Sequence, residues 1–232
     1  MATQKLQKIE FERMPLSEKW VGTLGKLPFN FIMIIYGKSG HGKTEFLMHL
    51  IKELARFGKV QALLYEQGFA ADIQDAIKRN DMLRLPINWC DPWDKKDNVS
   101  LYDDLIREMS AHKSAKYWVI DSYDATRFNE DQVLEIQKRF EKKKGIIWIS
   151  HASGNVPDKT PAKKIEYYGQ VGILVKNYIA TVQKNRFGGF EPYVIWEQRA
   201  RELNPLFFEM RETPTPSLKE RDVKAKKSKN KN

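Results

Sequence analysis

The stretch Gly37-Lys38-Ser39-Gly40-His41-Gly42-Lys43-Thr44 decides how the chain is read. It matches G-x-x-x-x-G-K-[ST] at every fixed position, and its flanks agree with it. Before it, Phe31–Tyr36 is an unbroken apolar run, as expected of a strand covered on both faces. After it, Phe46, Leu47, Leu50, Ile51 and Leu54 keep to one helical face across Thr44–Phe57, and Gly58 offers a stop. Glycines let successive backbone N–H groups close on an anion, and the start of a helix adds its unsatisfied donors and positive dipole end. Residues Gly37 to Thr44 are therefore a candidate cradle for the phosphates of ATP. Lys43 supplies charge to the β- and γ-phosphates, and the Thr44 hydroxyl is a candidate ligand for Mg²⁺.

Outward from this loop, apolar strands alternate with amphipathic helices. Strands are expected at Val60–Tyr65, Tyr117–Asp121, Ile146–Ser150 and, more weakly, Ile87–Cys90. Helices are expected at Ser100–His112, with Ser100 as N-cap, and at Asn129–Lys144, stopped by Gly145. From Val171 the pattern turns to strands alone: Val171–Lys176, Tyr178–Lys184 and Tyr193–Glu197. The expected fold class is α/β, a mostly parallel central sheet flanked by helices with an antiparallel C-terminal edge.

Hydrolysis needs a metal partner and a base besides a cradle. The apolar strand Tyr117–Asp121 ends in a carboxylate, and Asp121 is the candidate second anchor for Mg²⁺, opposite Thr44. Strand Val60–Tyr65 delivers Glu66, a candidate base for water. His151 follows the strand Ile146–Ser150, at the end where open α/β sheets present ligand-facing residues, and is a candidate γ-phosphate sensor.

Composition sets the limits. The chain has 232 residues and a net charge of +10, an excess that suits a polyanionic partner. Seven basic and three acidic residues lie in Glu212–Asn232, so +4 of the +10 belongs to that stretch. One domain over 1–211 and a basic, disordered tail over 212–232 are expected. The longest apolar run is the six residues Phe31–Tyr36, far short of the roughly 20 a membrane span requires. A cytoplasmic, membrane-free protein is expected. The single cysteine, Cys90, excludes an intramolecular disulfide and any zinc site built on two or more thiolates. No structural metal is expected.

The order of these parts resembles the RecA-like ATPase core. Within it, Lys184-Asn185-Arg186-Phe187-Gly188 is similar to the KNRFG motif of the RadA (Sms) family, and its K-x-R skeleton to that of DnaB-type helicases. Leu24-Gly25, shortly before the first strand, also fits, and the resemblance spans about residues 15–200. It implies a homo-oligomeric ring, a hexamer, in which Lys184 and Arg186 reach a neighbour's γ-phosphate as trans-acting catalytic groups. The four-cysteine zinc module of RadA cannot be built from Cys90 alone, and no residues are left after 211 for its Lon-like domain. A primase-binding domain like that of the DnaB helicases does not fit in the first 20-odd residues either.

The resemblance also implies single-stranded DNA as partner, held by loops after the Asp121 strand and the next one, about Ser122–Asn129 and Ala152–Gln170. The second carries Lys159, Lys163, Lys164, Tyr167 and Tyr168, cations for a phosphate backbone and rings for bases. The leading expectation is a DNA-dependent ATPase of recombination, repair or replication. The alternative is an ATP-controlled switch or loader that binds and hydrolyses ATP without moving along DNA. A phosphotransferase would leave Lys184–Gly188 unexplained.

Overall fold

The computed structural model describes residues 3, 7, 8, 10–94 and 99–212. The tail expected at 212–232 therefore lies outside the described residues, save Glu212.

The elements follow in chain order: α1 Glu18–Leu24, β1 Phe31–Gly37, α2 Lys43–Leu54, β2 Val60–Leu64, α3 Ala71–Arg79, β3 Ile87–Cys90, α4 Leu101–Ser110, β4 Tyr117–Asp121, α5 Tyr123–Thr126, α6 Glu130–Phe140, β5 Gly145–Ser153, β6 Val156–Pro157, α7 Thr160–Tyr168, β7 Val171–Lys176, β8 Ile179–Asn185, β9 Tyr193–Val194, α8 Glu197–Leu203 and α9 Pro205–Glu212. The sheet runs β3-β2-β4-β5-β1-β7-β8-β9, with β6 paired to β5. Pairs from β3 to β7 are parallel, whereas β7–β8, β8–β9 and β5–β6 are antiparallel. This is the α/β architecture expected from the alternation of patterns.

Period-2 geometry sorts β1 between two layers. Phe31, Met33 and Ile35 join Trp20 and Leu24 of α1, Phe46 and Leu50 of α2, and Ile73 of α3. Ile32, Ile34 and Tyr36 join Leu105 of α4, Val133 and Ile136 of α6, and Ile165 of α7. Every β1 residue is buried, which explains why its sequence is apolar without alternation. Each such side chain contributes about 1.5–3 kcal/mol of transfer free energy.

Local signals fix several helix ends. Ser100 Oγ accepts the Asp103 N–H at 3.1 Å. Asn129 and Gln132 form a reciprocal capping box at the start of α6.

Three expectations need correction. Ala152–Gln170 is not a loop: β5 continues to Ser153, turns into β6, and α7 follows. Ala162 and Ile165, three apart, bury one face of α7, and Pro161 sits in the first turn, where its missing N–H costs nothing. Ser122–Asn129 is tied down as well, since α5 lies within it and the Tyr123 hydroxyl donates to the Phe128 carbonyl at 2.7 Å. The strand expected over Tyr193–Glu197 stops at Val194, and Glu197 opens α8. Finally, α1, α3, α8 and α9 had no expectation. Met14 and Leu16, just before α1, are buried against the α1–α2 layer.

Candidate functional site

Parallel strands in matched register bring their C-terminal ends to one edge of the sheet. Gly37 lies opposite His151, and Leu64 opposite Asp121. The loop from Gly37 to Thr44 leaves β1 at that edge. Gly37 has no room for a side chain, because a Cβ there would sit 2.2 Å from the Val175 carbonyl oxygen. Gly42 caps α2 at φ +98°, under the Tyr178 ring, a backbone region that L side chains rarely adopt.

The loop is pinned to the β7–β8 turn. His41 Nδ1 accepts the Asn177 N–H at 3.1 Å, and the His41 carbonyl accepts the Tyr178 N–H at 3.0 Å. Burial and the charges of Lys38, Lys43 and Lys176 lower the His41 pKa, which keeps that nitrogen free to accept. Lys38, Ser39 and Gly40 are exposed at the tip.

A cavity of about 590 Å³ opens over the loop. Ser39, Gly40, Gly42, Lys43, Thr44, Glu66, Asp121 and His151 all line it, together with Tyr178 and Trp196. Its polar end is crowded with charge. Lys43 Nζ donates to the Gly37 carbonyl at 2.9 Å and the Lys38 carbonyl at 3.1 Å. Burial lowers the Lys43 pKa, and Asp121, Glu66 and Asp124 partly restore it. Burial, then the neighbouring Glu66 charge, pushes the Asp121 carboxyl up to about 7, with Lys43 opposing. His151 Nε2 lies 3.3 Å from Glu66 Oε1. The Glu66 turn is bolted to β4, because the Tyr65 and Glu66 N–H groups both donate to the Asp121 carbonyl. Trp93 Nε1–H holds the same turn through the Tyr65 carbonyl at 2.8 Å.

Thr44 and Asp121 fit a magnesium ion. Both are oxygen donors that line the cavity, and a carboxylate with so raised a pKa is relieved by a cation. Tyr178 and Trp196 add two rings to the lining, meeting edge to face with centroids 5.6 Å apart. Neither had been singled out in the sequence. Tyr178 was read as the start of a strand, whereas it and Asn177 form the tight turn with positive φ.

Lys184 and Arg186 lie elsewhere. Asn185 pairs with Val171, which pairs with Met33, four residues before Gly37 and about 13 Å along the strand. Lys184 Nζ donates to the Glu166 and Tyr167 carbonyls at 2.8 and 2.6 Å, closing the end of α7, while Arg186 is exposed. Asn185 Nδ2 ties this turn to the Leu24 carbonyl at 3.1 Å, which accounts for the Leu24-Gly25 pair upstream.

The five residues expected on DNA belong to α7 and to its N-cap, Lys159. Lys159 Nζ donates to the Asp124 carbonyl at 3.1 Å, and Lys164 lies 3.4 Å from Glu130. Lys163 is exposed, as are Tyr167 at 70% and Tyr168 at 47%. No helix among the described residues is long and apolar enough to cross a membrane.

No protein family matches the sequence, and no curated protein matches it. Solved structures do. A KaiC-like protein from the hyperthermophilic archaeon Pyrococcus horikoshii aligns with a TM-score of 0.56 at 16% identity, over 79% of this chain and 94% of its own. The flagellar accessory protein FlaH from Methanocaldococcus jannaschii aligns with a TM-score of 0.58 at 16% identity, over 78% of this chain and 92% of its own. Strand order and these likenesses together show that the chain shares the α/β fold of these two proteins, with the phosphate loop at the end of β1.

Proposed function

We propose that this protein binds ATP with Mg²⁺, hydrolyses it, and uses the nucleotide cycle as a switch over its own assembly or its docking to a partner. The observation that carries this reading is one cavity lined by Lys43, Thr44, Glu66, Asp121 and His151. Phosphoryl transfer asks mainly for positioning and charge, and these residues supply both. The loop N–H groups and Lys43 hold the β- and γ-phosphates, and Tyr178 and Trp196 receive the base. Thr44 and Asp121 hold the magnesium ion, which when bound neutralises developing phosphate charge. Glu66 orients a water on the γ-phosphate and takes its proton, beside His151. Arg186, exposed and far from its own cavity, serves a neighbouring copy's phosphate in a ring, where a cation in trans stabilises the leaving charge.

A switch is favoured over a DNA motor because both segments expected to thread a strand are folded down, α5 by Tyr123 and α7 by Ala162 and Ile165. A DNA-acting reading rests on the exposed Lys163, Tyr167 and Tyr168 of α7. One experiment tests both: phosphate release from Mg-ATP with and without single-stranded DNA, alongside mass by light scattering. Hydrolysis with nucleotide-dependent mass and no DNA effect supports the switch. Stimulation by DNA supports the motor. No nucleotide binding at millimolar ATP overturns the proposal.

A further inference from the structure

Asp124 has no assigned role in the cavity so far, yet its nearly buried carboxylate bonds the backbone of His151, which lines it. Asp124 is the second residue of α5, three residues after Asp121, and its side chain is only 10% exposed. A carboxylate in such a place is costly unless it works for its neighbours. Here Oδ2 accepts two hydrogen bonds, from the Ser150 hydroxyl at 2.9 Å and from the His151 backbone N–H at 2.9 Å. Ser150 is fully buried, so this bond is sheltered from water. The other oxygen, Oδ1, is buried without a hydrogen bond and lies 3.7 Å from Lys159 Nζ, which donates instead to the Asp124 carbonyl at 3.1 Å.

The location gives these bonds a consequence. β5 pairs with β4 only as far as Trp148, opposite Ile120. Beyond that point β6 pairs with β5 at Ala152 and Ser153, the Asp158 N–H donates to the His151 carbonyl at 3.0 Å, and Asp124 takes the N–H of His151. On the other side β1 still pairs, Gly37 opposite His151. His151 is thus held between the start of the phosphate loop and the Asp124 carboxylate, and its ring projects to Glu66 at 3.3 Å.

We propose that Asp124 is a positioning residue for the Glu66–His151 pair, fixing the backbone of His151 so that its imidazole meets the Glu66 carboxylate. The assignment rests on the ATPase reading for its effect on turnover, but not for its effect on geometry. Asp124 is not among the residues that line the cavity and acts through the β5 backbone. What it supplies is a hydrogen-bond acceptor, so an amide oxygen in the same place serves nearly as well.

Two readouts on Asp124→Asn and Asp124→Ala test this. By NMR of the imidazole signals, Glu66→Gln displaces the His151 ring resonances in the wild type and in Asp124→Asn, and loses that effect in Asp124→Ala. In steady-state hydrolysis, Asp124→Ala lowers kcat at least tenfold with KM for ATP within twofold, and Asp124→Asn keeps at least a third of kcat. Asp124→Ser, one bond too short to reach the His151 N–H, replaces the alanine variant should that fail to fold. Retention of the Glu66–His151 coupling in Asp124→Ala overturns the proposal, as does an asparagine variant as impaired as the alanine. If the wild type hydrolyses no ATP, the functional reading fails, while the NMR comparison still decides the role of Asp124.

Discussion

His151 Nε2 and Glu66 Oε1 face each other across 3.3 Å although their strands, β5 and β2, are not neighbours. β4 lies between them and ends at Asp121, so both side chains lean over the Asp121 terminus from opposite sides. A carboxylate, an imidazole and a second carboxylate thus converge where the phosphate loop begins.

Glu66→Gln keeps the shape of the turn and removes the base. Hydrolysis falls by about 10²–10⁴-fold. Nucleotide affinity, read by titration calorimetry, stays within a few-fold of the wild type. Equal losses in both would place Glu66 in binding and not in the chemical step.

Asp121 makes the stability of the nucleotide-free protein depend on pH. Its folded pKa, about 7, stands above the ordinary 3.8. The unfolded chain therefore gives up this proton more readily, and the folded state loses stability as pH rises from about 4 through about 7. Asp121→Asn removes that penalty. At pH 8 without Mg²⁺ the variant melts higher, by an amount on the order of 1–4 kcal/mol, each worth about 2–4 °C at this size. The gain shrinks as pH is lowered toward 4, and the same variant binds Mg-ATP more weakly. A Tm difference that ignores pH contradicts the assignment.

Arg186 and Lys184 separate in their effects. Arg186→Ala leaves nucleotide affinity intact and abolishes the rise of specific activity with protein concentration. Lys184→Ala removes the cation that closes α7 and lowers Tm as well, by roughly 2–6 °C for a charged hydrogen-bonding group. Concentration-dependent turnover that survives Arg186→Ala excludes the trans role.

Trp196→Ala removes half of the Tyr178–Trp196 ring pair that lines the cavity. Loss of stacking costs about 1–3 kcal/mol, some 5- to 150-fold in ATP affinity. Tripolyphosphate, which has no base, binds the variant as it binds the wild type. Parallel losses for both ligands place Trp196 in the fold and not in base recognition.

Much of the fold could be read from the sequence because the strands are apolar without interruption. β1, β4 and the buried part of β5 have no polar face to confuse their period. Ser100 and Asn129 announced their helices by capping chemistry. What escaped reading had weaker signals. In α7, Ala162 and Ile165 are the two buried residues of nine, and its lysines and tyrosines looked like those of a binding loop. α3 buries only Ile73 and Ala76. In the site, Glu66, Asp121 and His151 were found by their places after apolar strands. Asp124 was not, since its importance lies in bonds to Ser150 and His151 that no local pattern encodes. Trp196 was missed because four apolar residues from Tyr193 to Trp196 imitate a longer strand.

β8 joins two places that the chemistry keeps apart. One end begins beside the Asn177–Tyr178 turn, locked to the phosphate loop through His41, and the other ends in the Asn185 anchor that presents Arg186. The seven residues between them pair with β7 apart from one register shift at Gln183. A shift of the turn on nucleotide binding has this strand as its route to the far tip. In a ring, the filling of one cavity would be felt at the next through a single length of backbone, with no loop required to carry the message.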